Sequence, residues 1–265
     1  MAQIKHIHAR QILDSRGNPT IEVELAFINQ EPSFAIVPSG ASTGVHEALE
    51  LRDNKKAYHK KSVQQAVHNV NTIIKSAVTK KNFSSQKEFD EFLINLDATV
   101  NKARLGANAI LACSLAFARA KAKQENISLH KYIATIYQNK TSANANTLPI
   151  PFSNVINGGV HAGNELEMQE FMIAPIGLKS FSSATQAVAE TYAELKEILK
   201  KKYGPNAINV GDEGGFAPPI KTANEALSLL TKALETSGYS QKISFAMDPA
   251  SSEFYNKTTN TYLQK

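Results

Sequence analysis

Hydrophobic and polar positions alternate along the first forty residues, with Glu22 and Glu24 set between Ile21, Val23 and Leu25. A period of two marks a strand with one face buried. The pattern predicts strands over residues 4–13, 20–27 and 34–37, the first two joined by the turn Asp14-Ser15-Arg16-Gly17-Asn18-Pro19. That is a three-stranded antiparallel meander. After Gly44 the period changes: Val63, Ala66, Val67, Val70, Ile73, Ile74, Ala77 and Val78 follow the three-and-four spacing of a helix buried on one side. Phe89, Phe92, Leu93 and Leu96 repeat that spacing, residues 107–123 are alanine-rich, and residues 129–137 make a fourth helical stretch. Strands followed by helices predict a segregated α+β domain over residues 1–140.

Residues 138–147 are all polar or small and run into Leu148-Pro149-Ile150-Pro151, which predicts a linker and a second domain over residues 148–265. There, residues 150–156 and 168–174 read as strands on either side of a loop carrying Gly158, Gly159 and Gly163. A long helix over 183–203 ends at Gly204-Pro205, and a second over 224–236 ends at Gly238. A third strand over 243–248 places Ser244, Ala246 and Asp248 on one face. Small residues with an acid at the carboxyl end suit a strand of a (β/α) barrel, whose catalytic groups gather at that end. Such a barrel takes roughly 250 residues. The expectation is therefore an incomplete TIM-type barrel from a truncated version of something longer, with an open edge and an apolar face on its last strand.

Composition removes several classes of function. Of 265 residues 42% are hydrophobic, enough for a real core, and the net charge of +5 comes with no basic run interleaved with aromatics, so nucleic acid is not an expected partner. The N-terminus lacks an apolar signal core and no apolar run reaches membrane-spanning length. The single Cys113, in the alanine-rich stretch, excludes an intramolecular disulfide and agrees with a reducing compartment.

The candidate chemistry lies in acids. Gly211-Asp212-Glu213-Gly214-Gly215-Phe216 puts two carboxylates on a glycine-rich loop, Glu170 interrupts Met168-Gln169-Glu170-Phe171-Met172-Ile173, and Asp248 ends its strand. A carboxylate near an apolar strand costs desolvation energy unless it is paired, hydrogen-bonded or bound to metal. Glu170, Glu213 and Asp248 are expected to converge on one mouth suited to a divalent cation and proton transfer. The loop lacks the alternating acids and twelfth-position glutamate of an EF-hand.

Six motifs then coincide in order: LDSRGNPT at 13–20, SGASTGVHEALELRD at 39–53, GANAILACSLA at 106–116, NVINGGVHAGNELEMQEFMI at 154–173, VGDEGGFAP at 210–218 and MDPASSEFY at 247–255. Together they resemble the enolase family, the glycolytic phosphopyruvate hydratases. The resemblance implies reversible dehydration of 2-phospho-D-glycerate to phosphoenolpyruvate, with two magnesium ions per site absorbing charge as a very weak carbon acid ionises. It implies that Glu213 helps hydroxide leave with Glu170 as its carboxylate partner. His161 would close over the substrate near its phosphate, and Gln169 would bind substrate beside Glu170. Asp248 would be the first of three carboxylates on the tighter magnesium, and Ser42 a ligand of the second. The remaining metal carboxylates, the lysine base and the phosphate-holding cations would lie beyond Lys265. Pro249 and Pro219 depart from the family pattern. The resemblance also implies a homodimer or larger homo-oligomer and a cytoplasmic location, with secondary cell-surface or secreted presence. The alternative is a non-catalytic binding or scaffold product derived from such an enzyme, the isolated stretch being inactive.

Overall fold

The computed structural model describes residues 2–40, 43–44, 46–137, 146–159 and 162–262. The chain divides into two compact units, Met1–Thr147 and Leu148–Lys265.

In the first unit the meander forms from β1 (Ala2–Leu13), β2 (Pro19–Phe27) and β3 (Ser33–Val37), and the two-residue β4 (Asn82–Phe83) adds to the free side of β1, giving the order β3-β2-β1-β4. All neighbours are antiparallel. The β1–β2 turn is closed by Asp14, whose Oδ1 accepts from the Arg16 N–H at 2.8 Å and the Asn18 N–H at 2.9 Å. Ile4 and Ile7 are both buried although three residues apart, because the β1 register shifts between Ile4 and His6 and the extra residue, Lys5, faces out. On the opposite face Arg10 pairs with Glu22 at 2.8 Å and also with Glu24, which His6 approaches at 2.8 Å.

The helices cover one face of this sheet. The stretch expected as one helix over 63–78 is α1 (Gln64–Asn69), a π turn (Val70–Ile74) and α2 (Lys75–Val78). Ala66, Val70, Ile74 and Val78 are all buried. A strict four-residue spacing overruns a 3.6-residue turn, and the wider π turn takes up the excess. Next come α3 (Gln86–Asp97), α4 (Ala107–Gln124) and α5 (Leu129–Tyr137). The buried alanines 109, 112, 116 and 120 let α4 lie close on β2 and β3. Phe117 stacks on Phe89 with centroids 4.3 Å apart and meets Phe27 edge-on at 5.3 Å. Cys113 is fully buried in the same core, which pushes its thiol far above the ordinary range.

The turn after α3 is organised by the buried Asp97. Its Oδ1 accepts from the Thr99 N–H at 3.0 Å and from the Thr99 hydroxyl, and its Oδ2 from the Leu105 N–H at 2.6 Å. Burial opposes the charged form, but these donors outweigh it and hold the Asp97 pKa below the usual aspartate range. Since folding lowers this pKa, the contribution is complete above the unfolded value of about 4 and is lost as pH falls through the folded value. Asp97→Asn is expected to cost about 1.5–3 kcal/mol at neutral pH in urea unfolding. The gap from wild type should narrow below about pH 4; a gap constant across that range would contradict the assignment.

In the second unit β5 (Ser153–Asn157), β6 (Glu170–Ala174) and β7 (Ser244–Asp248) form a sheet in that order. β5 starts later than the pattern suggests because Pro149 and Pro151 offer no N–H to a ladder. Both pairings are antiparallel, so β6 runs against its neighbours. β7 pairs with β6 alone among the described strands, and Phe245 and Met247 on it are exposed. α6 (Phe181–Tyr203) begins at Ser180, whose side chain accepts from the Ser183 N–H in a reciprocal cap, and α7 (Ala223–Ser237) is capped by Thr222 and ends at left-handed Gly238. The two helices pack together and bury Ala187, Leu195, Leu199, Leu230 and Ala233 with Phe171 and Ile173 of the sheet. A small hairpin, β8 (Tyr255–Asn256) with β9 (Thr261–Tyr262), follows.

Candidate active site

The acids meet at one edge of the β5-β6-β7 sheet. Sequence reasoning set catalytic groups at the carboxyl ends of strands, and Asp248 does end β7, but Glu170 opens β6. Because β6 is reversed, its start lies beside the ends of β5 and β7, and Glu170 pairs directly with Asp248 in the register.

Glu213 arrives from a loop that is itself paired onto the sheet. The Phe216 N–H donates to Val155 O at 2.9 Å and the Asn157 N–H to Phe216 O at 2.9 Å, so Phe216 extends the free edge of β5. The Phe216 ring stacks on Tyr192 of α6 at 4.3 Å, and the Tyr192 hydroxyl donates to Gly214 O at 2.8 Å. Inside the loop the Gly211 N–H reaches Gly215 O at 2.8 Å. The Glu213 carboxylate then accepts from three amides: Asn157 Nδ2 at 3.0 Å and Asn154 Nδ2 at 3.2 Å on Oε2, and Gln169 Nε2 at 3.4 Å on Oε1.

The Glu213 carboxylate lies close enough to Glu170 for the two groups to act on each other. Burial, the hydrogen bond and charge of Glu213, and the charge of Asp248 raise the Glu170 pKa, against a smaller pull from Gln169. Asp248 is exposed, and its Oδ1 accepts from the Ala250 N–H at 2.9 Å across Pro249.

Asp248 offers the oxygen donor that a hard divalent cation takes, yet such a cation needs about six or more. Among the described residues no group of three His, Cys, Asp or Glu side chains is placed to hold a metal. These residues alone do not fit a metal centre. Ser42 and His161 lie outside the described residues. A cleft of about 1050 Å³, lined by Gly159, Asn164, Lys221 and Glu253 among others, borders the glycine loop but not Glu170, Glu213 or Asp248.

The resemblance implies that Gly158, Gly159 and Gly163 give their loop hinge freedom, but Gly158 is packed in place. It is buried, its N–H donates to Gln169 O at 2.9 Å, and a Cβ there would overlap the Met168 carbonyl oxygen and lie 2.6 Å from that of Leu166. Glycine here serves close backbone approach. Gly158→Ala is expected to cost about 1–3 kcal/mol, the range of overpacking strain, read as a lower melting temperature. An unchanged melting temperature would show that the loop can shift at no cost.

Sequence reasoning missed Asn154, Asn157 and Asn164, the last bridging Asn157 O at 3.1 Å and Pro218 O at 2.9 Å. The signal was their place in the 154–164 motif, immediately before and within the glycine loop.

Comparison with known proteins agrees in order and extent. Residues 4–133 match the family model of the enolase N-terminal domain, and residues 145–265 that of the enolase C-terminal TIM barrel domain. Enolase 1 of Entamoeba histolytica is 55% identical over 260 residues, covering 98% of this chain and 58% of its own length. The enolase of Methanocaldococcus jannaschii is 53% identical over 253 residues, covering 96% and 58%, and that of Methanococcus vannielii 52% over 260, covering 98% and 59%. The chain thus spans less than three fifths of the length of these relatives. Two domain types of one family, met in sequence along nearly the whole chain, leave a single assignment: this chain belongs to the enolase family.

Proposed function

We propose that the protein to which these residues belong is a hydro-lyase that interconverts 2-phospho-D-glycerate and phosphoenolpyruvate in glycolysis. The observation that carries this reading is the meeting of Glu170, Glu213 and Asp248 at one sheet edge, with Glu213 held by Asn154, Asn157 and Gln169. In the dehydration direction Glu213 carries the proton, with Glu170 as its carboxylate partner. Glu213 gives it to the leaving hydroxyl, which departs as water. The carbon-bound proton leaves to a base outside this acid pair. Gln169 and His161 are part of the substrate-binding reading.

Two magnesium ions belong to the same proposal for the whole protein, with Asp248 a ligand of the tighter one and Ser42 of the second. They would stabilise the negative charge that develops on the substrate carboxylate. No helix among the described residues is long and apolar enough to cross a membrane. The reading carries a homodimer or larger homo-oligomer in the cytoplasm.

The test is turnover of 2-phosphoglycerate, followed by phosphoenolpyruvate absorbance, in the product of the complete reading frame with magnesium present. That product is expected to be active and residues 1–265 alone inactive, since among the described residues Asp248 finds no companion metal carboxylates. An inert complete product would sink the reading.

A further inference from the structure

Asn157 is the last residue of β5 and is 0% exposed. A buried primary amide needs partners for its oxygen and for both hydrogens. Its Oδ1 accepts from the Gly215 N–H at 2.9 Å, and its Nδ2 donates to Glu213 Oε2 at 3.0 Å and to Gln169 O at 3.4 Å. One side chain therefore grips the acid, the backbone two residues after it, and the backbone immediately before Glu170.

The sequence of the loop is fitted to this grip. A Cβ on Gly215 would stand 2.7 Å from Asn157 Oδ1 and 3.0 Å from Asn157 N, so Gly215 is small because Asn157 occupies the space. Asn154 adds a donor to the same Glu213 oxygen at 3.2 Å, from a half-buried position.

We infer that Asn157 is the positioning residue of the acid pair, fixing the Glu213 carboxyl against Glu170 by donating to one of its oxygens while accepting from the Gly215 N–H. This rests on the hydro-lyase reading. It goes further by assigning a neutral, buried amide the task of aiming the proton donor, which a displacement of about 1 Å would impair as much as 100-fold.

The test compares Asn157→Ala, Asn157→Asp and Asn154→Ala in the product of the complete reading frame. It measures kcat and KM separately, together with hydrogen exchange at the Gly215 amide. In Asn157→Ala, kcat should fall about 10- to 100-fold with KM within about threefold, and Gly215 should exchange faster. Asn157→Asp keeps an acceptor for Gly215 but faces Glu213 with a second carboxylate, so exchange should stay slow while kcat still falls. Asn154→Ala should lower kcat less than either and leave Gly215 unchanged; it also serves should Asn157→Ala fail to fold.

A purely structural role predicts the opposite for Asn157→Asp, with kcat within twofold of wild type and Gly215 protected, and that result would overturn the inference. Should the unmutated protein itself be inert, the hydro-lyase reading falls. Gly215 exchange in Asn157→Ala then decides whether the grip exists, unchanged exchange refuting it.

Discussion

Glu213→Gln in the product of the complete reading frame should lower kcat about 100- to 10,000-fold, the range for removing a positioned proton donor. The amide is nearly the size of the carboxyl but has no acidic proton to give. Its oxygen can still accept from Asn154 and Asn157. Its NH₂ would then face Gln169 Nε2, which donates to Glu213 Oε1 in the wild type. Gln169 can answer by turning its own amide over, because its Oε1 is buried without a hydrogen-bond partner. The fold and the Asp248 turn are thus left in place, and magnesium binding measured by calorimetry should change little. Turnover within about threefold of wild type would remove Glu213 from the proton path.

Phe117→Ala should destabilise the first unit by about 3–5 kcal/mol, a large share of the roughly 5–15 kcal/mol that holds a domain together. Phe117 is fully buried where α4 meets the sheet, and its ring is in contact with Phe27, Phe83 and Phe89. Truncation leaves a cavity whose walls belong to β2, β4 and α3, elements tied down by their own hydrogen bonds, so collapse is limited. Urea unfolding measures the loss. Val100→Ala, at a fully exposed position, should lie within about 0.5 kcal/mol of wild type and serves as the control. A loss below about 1 kcal/mol for Phe117→Ala would mean that the core repacks.

Most of the elements were legible because they bury one face. α5 falls on the residues that the periodicity indicates, β2 and α4 differ from expectation by one residue at one end, and α7 by one residue at each end. Three features were not legible. The shift at Lys5 breaks the two-residue period that reveals a strand. β4 and the β8–β9 hairpin are too short to carry any period. The direction of β6 has no signature at all, since alternation reads the same from either end.

The acids themselves were visible, because carboxylates in apolar runs contradict packing. Their amide partners were not, because an asparagine beside glycines reads as an ordinary turn residue. Only the meeting of residues 154, 157, 169 and 213 in space gives those amides their meaning.

The reversed course of β6 divides the connections around it into two kinds. Glu170 follows directly on the connection that arrives from β5, so adding or deleting residues there displaces the acid bodily. The connection that leaves after Ala174 sits at the far end of the strand, and length changes there are absorbed before α6 without moving a reacting group. Across related sequences, insertions should therefore be tolerated on the outgoing side and purged on the incoming one.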